Sequence, residues 1–429
     1  MANPFVIIVG GGPSGILLAL LLGKQGIPVQ LLEAAEKFDD RPRATHYGPA
    51  AVQELQRAGL FEDMKARGGF FPSGVTWRKL HGEALATIPG PTGEEKHPLI
   101  CLPLNKLHQV LEGHLKNHPN IEVLFNHRVM GVDQDDSASW VVAETPEGKK
   151  TFNAQYIVGC DGANSIIRRA LFTDSGFKGF TWKEQIVATN VGSLLPANST
   201  ISSDNLFTHQ VYYPFEKHGV DIDSSFIIHP EHWHMIARIT NDGLWRVTYG
   251  EVPGLTFEQL KERQPMKFKA MLPGHPDAED YELVNFSPYK VHQRIANKMR
   301  VGRVLLAADA AHLCNPFGGL GLTGGLVDVG GLYDCLFGVF SGQADESILT
   351  LYDEVRRKKY DKIINPISSE NIRRLFDQDP DTAMHKDEFL QFVKRAETDS
   401  EAMEKLNQGA FSIQYDFTQH YHSAKPDCV

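Results

Sequence analysis

Apolar and polar positions follow two rhythms along the first part of the chain. Five apolar residues, 5–9, run straight into a glycine cluster, and apolar positions then crowd 16–22. A short loop, QGIP, separates them from a second apolar run, VQLLE. Strand, helix and strand within about 30 residues make one βαβ unit. A polar, glycine-containing region at 82–97 precedes the apolar ICLPL, and Leu107, Val110, Leu111 and Leu115 recur at helical spacing. Strand-like runs follow at 121–125, 140–143 and 156–158.

From about residue 180 to 290 the rhythm becomes that of strands broken by turns: EQIVATNVGS, THQVYYPF, SSFIIHP, HWHMIARIT and GLWRVTYG. The pattern predicts a mostly antiparallel sheet inserted into the first unit. A buried strand at 303–307, a glycine-dense loop and a helix from about Thr323 come next, and the chain from Glu370 is charged and helical in pattern. The expected fold is α/β. A discontinuous Rossmann-like domain spans 1–75, 105–178 and 292–365, a β-sheet domain spans 76–104 and 179–291, and a helical tail spans 366–429.

Composition narrows the classes. A chain of 429 residues that is 42% hydrophobic can bury a large core. A formal charge of −10 with no Lys/Arg run argues against a polyanionic partner such as nucleic acid. Cys101, Cys160, Cys314, Cys335 and Cys428 form no CxxC pair and no zinc spacing, and no leader precedes the first strand. Reduced thiols and a cytoplasmic location are the expectation. The apolar run 16–22 is far shorter than the roughly 20 residues a membrane span needs, so no membrane partner is expected.

The glycine cluster carries the first chemistry. Gly10, Gly12 and Gly15 occupy the places of GxGxxG: the tight turn, the close approach of backbone to a pyrophosphate, and the packing of helix on strand. Pro13 and Ser14 open the helix, whose N-terminus attracts phosphates. Glu33, at the end of the second strand, is placed to accept hydrogen bonds from ribose hydroxyls. The motif alone does not separate NAD from FAD.

Two later stretches do. YIVGCDGANSIIRRA is a strand ending at Asp161-Gly162 and feeding a helix that Asn164 or Ser165 caps. GRVLLAADAAHLCNPFGGLGLTGGLVDVGGL places Asp309 after an apolar strand and leads through Gly319, Gly321, Leu322 and Thr323 into a helix. With these three motifs the chain resembles the flavoprotein aromatic hydroxylases, the single-component FAD monooxygenases typified by para-hydroxybenzoate hydroxylase and phenol hydroxylase. The resemblance runs in motif order from about residue 5 to 360.

That resemblance implies a GR2-type FAD-binding domain carrying an inserted substrate sheet. It places the ADP half of FAD on the first glycine motif, and Asp161, Gly162 and Arg168 near the pyrophosphate and NAD(P)H. Asp309 goes to the ribityl chain, and Arg43 to the flavin and its phosphates. It implies that NADPH or NADH reduces the flavin, that oxygen forms a C4a-hydroperoxide, and that its distal oxygen passes to an electron-rich aromatic ring. The glycine loop 319–324 then opens a helix whose dipole favours the reduced flavin. Natural-product tailoring is the pathway suggested, indole or alkene epoxidation the alternative reaction, and a catalytically silent FAD-binding protein the alternative class. Three departures stand out: Ala308 replaces a usual glycine, Thr323 a frequent asparagine, and Leu104 a frequent Gln or Arg.

Substrate contacts are sought in the inserted sheet. In HWHMIARIT, alternation sets Met235, Ala237 and Ile239 on one face and His234, Ile236 and Arg238 on the other, with the apolar face expected inward. His209, Tyr212 and Tyr213 are candidates for binding or deprotonating a phenol, and Phe226, Pro316 and Phe317 for an apolar wall. His312 reads equally as a structural histidine. The crowding of His229, His232 and His234 makes no metal set, because Glu231 points to the other face and no cysteine is near, so no metal is expected.

Overall fold

A computed structural model of the protein describes residues 3–39, 45–192 and 213–422. Its six-stranded sheet has the order Arg300–Val301, Val304–Leu306, Tyr156–Gly159, Val6–Val9, Val29–Leu32, Ile121–Leu124. All neighbours are parallel except the hairpin at the Arg300 edge. The strands Val6–Val9 and Tyr156–Gly159 are buried throughout, which is why they read as unbroken apolar runs and not as alternations. Helix Pro13–Gly23 is buried at every position after its first and packs against the helices Leu104–Leu115 and Leu320–Phe340.

The register positions everything that follows. Val9 lies level with both Leu32 and Gly159, and Gly159 with Leu306. The residues leaving those strands, Gly10, Glu33, Cys160 and Ala307, therefore emerge together at the carboxyl edge, where open α/β sheets bind ligands.

The second sheet has eight strands in the order His312–Leu313, Glu282–Ala296, Phe177–Gly192, Trp245–Glu251, His234–Arg238, Ser224–Ile228, Gly74–Lys79, Ala84–Pro89. It is antiparallel apart from one parallel pair, Ser224–Ile228 with Gly74–Lys79. The hairpin 74–89 thus completes a sheet built mainly from residues 177–296. Ile100–Cys101 does not join it and pairs with His46–Tyr47. The predicted strand THQVYYPF lies mostly outside the described residues; its end, from Tyr213, runs into a short 3-10 turn, Phe215–His218.

The helical tail is part of the core. Ile372, Leu375, Leu390 and Val393 cluster with Trp77, Ile186, Ile228 and Phe317 on one face of the second sheet. Phe417 packs on Gly331 of the long helix, where a Cβ would come within 2.6 Å of its ring. That long helix, Leu320–Phe340, is the one described helix long and apolar enough to cross a membrane, with mean hydropathy 1.2. It is 83% buried, as a core helix is.

Candidate functional site

Three glycines of the first motif do three different things. Gly10 adopts φ +107°, and a Cβ there would lie 2.6 Å from the Cys160 carbonyl oxygen, so the turn admits no side chain. Gly15 is packed so tightly that a Cβ would meet the Gly10 carbonyl oxygen at 2.1 Å. Gly12 is the opposite case: its missing side chain faces open space, at the N-cap of a helix that no side chain caps. The amides of Ser14 and Gly15 lie in this first turn, where a helix has no acceptors of its own, while Pro13 needs none. Glu33 is set beside them, accepting from the Gly11 amide at 2.7 Å and from the Ala35 amide at 2.8 Å. A cradle open at Gly12 and flanked by an oriented carboxylate fits a pyrophosphate and its ribose.

The second and third motifs reach the same edge. Asp161 accepts from the Ile166 amide at 2.7 Å and from the Ser165 hydroxyl, while Ser165 caps helix Ile166–Phe172 by accepting from the Arg168 amide. Burial pushes the Asp161 carboxyl up, and the hydrogen bonds from this turn counter it. Gly162 turns with φ +76°. The Arg168 side chain is buried and donates to the carbonyls of Ala310 at 2.9 Å and Ala163 at 2.7 Å. Arg168 thus staples the second motif to the third and reaches no groove of its own. Asp309 is exposed beyond the strand end, in a short turn that starts at Ala308. Arg43 lies outside the described residues, as do His209 and Tyr212.

Ala308 is strained. It holds φ +56°, a left-handed conformation that suits glycine. What fixes it is a buried ion network beneath: Asp328 accepts from the Ala308 amide at 3.0 Å, meets His312 Nε2 at 2.6 Å and accepts from Arg356 Nε at 2.6 Å. Burial would raise the Asp328 carboxyl, but His312 and Arg356 hold it down at about 2. His312 is therefore a partnered structural histidine. Above Ala308, Gly325 permits the close approach of the long helix, since a Cβ there would lie 2.7 Å from the Ala308 Cβ and 3.5 Å from the Ser14 hydroxyl.

The long helix starts at Leu320, three residues earlier than the sequence suggested. Its N-cap, Gly319, has φ +66°, no capping side chain and open space where a Cβ would stand. Gly321 and Leu322 follow in the first turn, and the Thr323 hydroxyl accepts from the Gly48 amide at 3.4 Å. An uncapped helix N-terminus at this place fits an anionic edge of a flavin ring.

One face of the eight-stranded sheet is tied to this helix start through Gly48, which meets Thr323, and His46, which meets Ser224. Cross-strand register puts Arg246, Asn190, Ala237 and Ser224 in one row, with Thr248, Met235 and Phe226 in the next. Arg246 donates from Nε to Asn190 Oδ1 at 3.1 Å, and Asn190 Nδ2 is buried without a described partner. Tyr289, on the same face, leaves 38% of its surface uncovered, yet burial pushes its phenol up to about 12. His46 enters from the strand that precedes Gly48; its Nε2 lies 3.4 Å from the Ser224 hydroxyl and its Nδ1 2.8 Å from that of Thr45. Burial and then Arg246 push the His46 pKa down to about 4, against the pull of Asp223, so the imidazole is neutral at ordinary pH. Phe317, fully buried, packs its ring on Trp233 in the cluster that covers this face, and Pro316 beside it is exposed.

Of the expected substrate contacts, Phe226, Met235, Ala237 and Phe317 are brought to one face, and two are not. Arg238 points to the other side, where it donates to the carbonyls of Thr240 at 3.1 Å and Asn241 at 2.9 Å and pairs with Asp223. Tyr213 is buried behind the sheet, stacked on His218 and donating to the Pro273 carbonyl. Arg246, Asn190, Tyr289 and His46 were missed. In GLWRVTYG the alternation of Arg246 and Thr248 with Trp245, Val247 and Tyr249 reads as an ordinary polar face turned to water. The available signal was that this strand sits in the middle of a sheet whose two faces are both covered.

Comparison with known proteins places this geometry. The family model for the FAD binding domain matches residues 5–365. The chain is 35% identical over 412 residues to the para-nitrophenol 4-monooxygenase of Pseudomonas sp. (strain WBC-3), covering 94% of this chain and 96% of that protein. It is 35% identical to the 6-hydroxy-3-succinoylpyridine 3-monooxygenase HspB of Pseudomonas putida (strain DSM 28022 / S16), covering 87% and 90%. Among solved structures, p-nitrophenol 4-monooxygenase PnpA from Pseudomonas putida DLL-E4 matches with a TM-score of 0.84 at 32% identity, covering 96% of this chain and 98% of that one.

Proposed function

We propose a small para-substituted hydroxyarene as the substrate of this chain, which belongs to the flavoprotein aromatic hydroxylases and is an FAD-dependent monooxygenase drawing on NAD(P)H and oxygen. When bound, FAD supplies the oxygen activation that side chains cannot. Gly12, Ser14, Gly15 and Glu33 would hold its ADP half, Asp309 the ribityl chain, and the amides that start the long helix the flavin ring. Asp161, Gly162 and Arg168 shape the neighbouring edge, Arg168 through the loop of Asp309.

The observation that carries the substrate class is Arg246, a cation on the enclosed side of the sheet, facing neutral His46 and the Tyr289 phenol. Burial lowers the pKa of Arg246, and a phenolate bound beside it would favour the charged guanidinium. Neutral His46 accepts a phenol's hydrogen at Nε2, and Arg246 steadies the charge left behind. A phenolate is the form whose ortho and para carbons are rich enough in electrons to take an electrophilic oxygen. Ala237 and, one row on, Met235 and Phe226 hold the ring and keep water out.

The locants in both relatives' names put the new oxygen para to the ring hydroxyl, and the same position is proposed here. A single ring of that kind is favoured over a polycyclic natural product. The cytoplasm, where NAD(P)H is abundant, is the proposed location, and the four described cysteines are free. The test is NADPH and NADH oxidation by the FAD-loaded chain with 4-nitrophenol, 4-hydroxybenzoate, indole and hydroxypyridines, with peroxide followed alongside. Arg246→Met should raise KM for the phenols at least tenfold while flavin content stays constant. Unchanged KM would remove Arg246 from substrate binding.

A further inference from the structure

The eight-stranded sheet has a second cavity, of about 410 Å³, on the face turned away from Arg246. Ile227, Ile236 and Met271 supply apolar wall, Ser225 and His234 are its fully buried polar residues, and His218 stands at its edge. Strand alternation makes the two cavities back to back. Ser224 faces His46 while its neighbour Ser225 faces this second space.

Three buried polar atoms of its lining have no described partner: Arg78 Nε, the Ser225 hydroxyl and His234 Nε2. His234 donates from Nδ1 to the His232 carbonyl at 2.7 Å, which leaves Nε2 an acceptor, and nothing donates to it. The Ser225 hydroxyl is likewise unmet. Native folds carry few such groups. Burial holds His234 neutral, with a pKa of about 3, so Nε2 keeps its lone pair. A metal is not indicated, since no group of three or more His, Cys, Asp or Glu able to hold one occurs among the described residues. Arg78 and Lys79 also line the cavity, but an anion is a poor match for its buried end, because its lone pairs would oppose that of Nε2. A hydroxyl on a flat apolar body meets both demands, and the His218 ring, stacked on Tyr213 at 4.9 Å, offers a flat surface.

We propose that this cavity is a second binding site for a small hydroxyarene, whose hydroxyl donates to His234 Nε2 and accepts from Ser225 while its ring packs on Ile227, Ile236 and Met271. The site is separate from the reaction centre and stands whether or not the substrate class above is right.

Equilibrium dialysis of the FAD-loaded chain with 4-bromophenol tests it. Two equivalents are expected for the wild type and one for His234→Phe, with Arg246→Met losing the other equivalent. A wild-type chain that binds no equivalent, or a folded His234→Phe chain that binds as many equivalents as wild type, would overturn the proposal. Should His234→Phe fail to fold, anomalous scattering from wild-type crystals soaked in 4-bromophenol decides. A bromine peak between His234 and Met271 together with an equivalent retained in solution by Arg246→Met supports the site. Ordered water alone there, or a peak while Arg246→Met binds no equivalent, refutes it.

Discussion

At the scale of single residues, what matters is which side of each Cα is full. Gly12 and Gly15 stand three apart in one motif, yet one faces open space and the other a carbonyl oxygen at 2.1 Å. Gly12→Val is therefore expected to fold with an apo melting temperature close to wild type and to lose FAD affinity by at least a hundredfold, read by flavin fluorescence on titration. Gly15→Val should fail to fold, and FAD binding by a folded Gly15→Val chain would mean that the packing is wrong. Ala308 gives a test of opposite sign. Left-handed alanine costs about 1 to 2 kcal/mol, and glycine's added freedom when unfolded returns about 0.4 to 1. Ala308→Gly should leave stability unchanged or raise it by up to about 1 kcal/mol in urea unfolding; a larger loss would contradict the strain. The glycine turn and the place of Glu33 beside it were legible, because a left-handed turn and a close backbone approach each demand glycine. Arg246 was not, since an arginine on an alternating strand is the usual mark of a water-facing side.

At the scale of elements, the long helix does two jobs. Its start at Gly319 is left uncapped, and Asp328, two turns further on, anchors the loop of Ala308 through one amide, one imidazole and one guanidinium. Removing a partner from a buried charge network costs about 3 to 5 kcal/mol, because the remaining charge is stranded. Asp328→Ala is expected to lose that much in urea unfolding and to release FAD more readily; a loss below about 1 kcal/mol would contradict the network's role. Helix and strand identities were readable from period alone across most of the chain. Two features were not. The parallel pairing of Ser224–Ile228 with Gly74–Lys79 joins segments far apart in sequence, and the start of the long helix at Leu320 depends on Gly319 adopting a left-handed turn. Neither leaves a periodic trace.

At the scale of the whole molecule, the fold buries a neutral histidine on each face of one sheet, His46 on the side of Arg246 and His234 on the side of the second cavity. The free proteins' acid response follows from the signs. His46 and His234 bind protons more readily unfolded, since their folded pKa values, about 4 and about 3, lie below the usual 6.5. Each contributes stability that is whole above pH 6.5 and is lost as pH falls toward those values. Glu54 runs the other way, because burial lifts its carboxyl to about 7 despite Arg57, and below that pH it offsets part of the loss. The clean quantity is a difference: between pH 6 and 4.5, stability of His234→Phe should fall less steeply than wild type by about 1.4 kcal/mol per pH unit. Equal slopes would show His234 to be charged or exposed. The convergence of three distant motifs on one sheet edge was readable from their order, whereas the enclosure of Arg246 depends on the tail helices and Phe317 folding back over the sheet, which no local pattern announces.

All of this rests on oxygen from O₂ reaching a phenol held against Arg246 beside the flavin. The most direct measurement is mass spectrometry of the aromatic product formed from 4-nitrophenol by the FAD-loaded chain with NADPH under ¹⁸O₂, with ascorbate present to keep quinones reduced. The expected result is one ¹⁸O atom on the ring carbon para to the hydroxyl, and strongly diminished product with Arg246→Met. NADPH consumed with only labelled peroxide formed, for this and every other phenol tried, would contradict it.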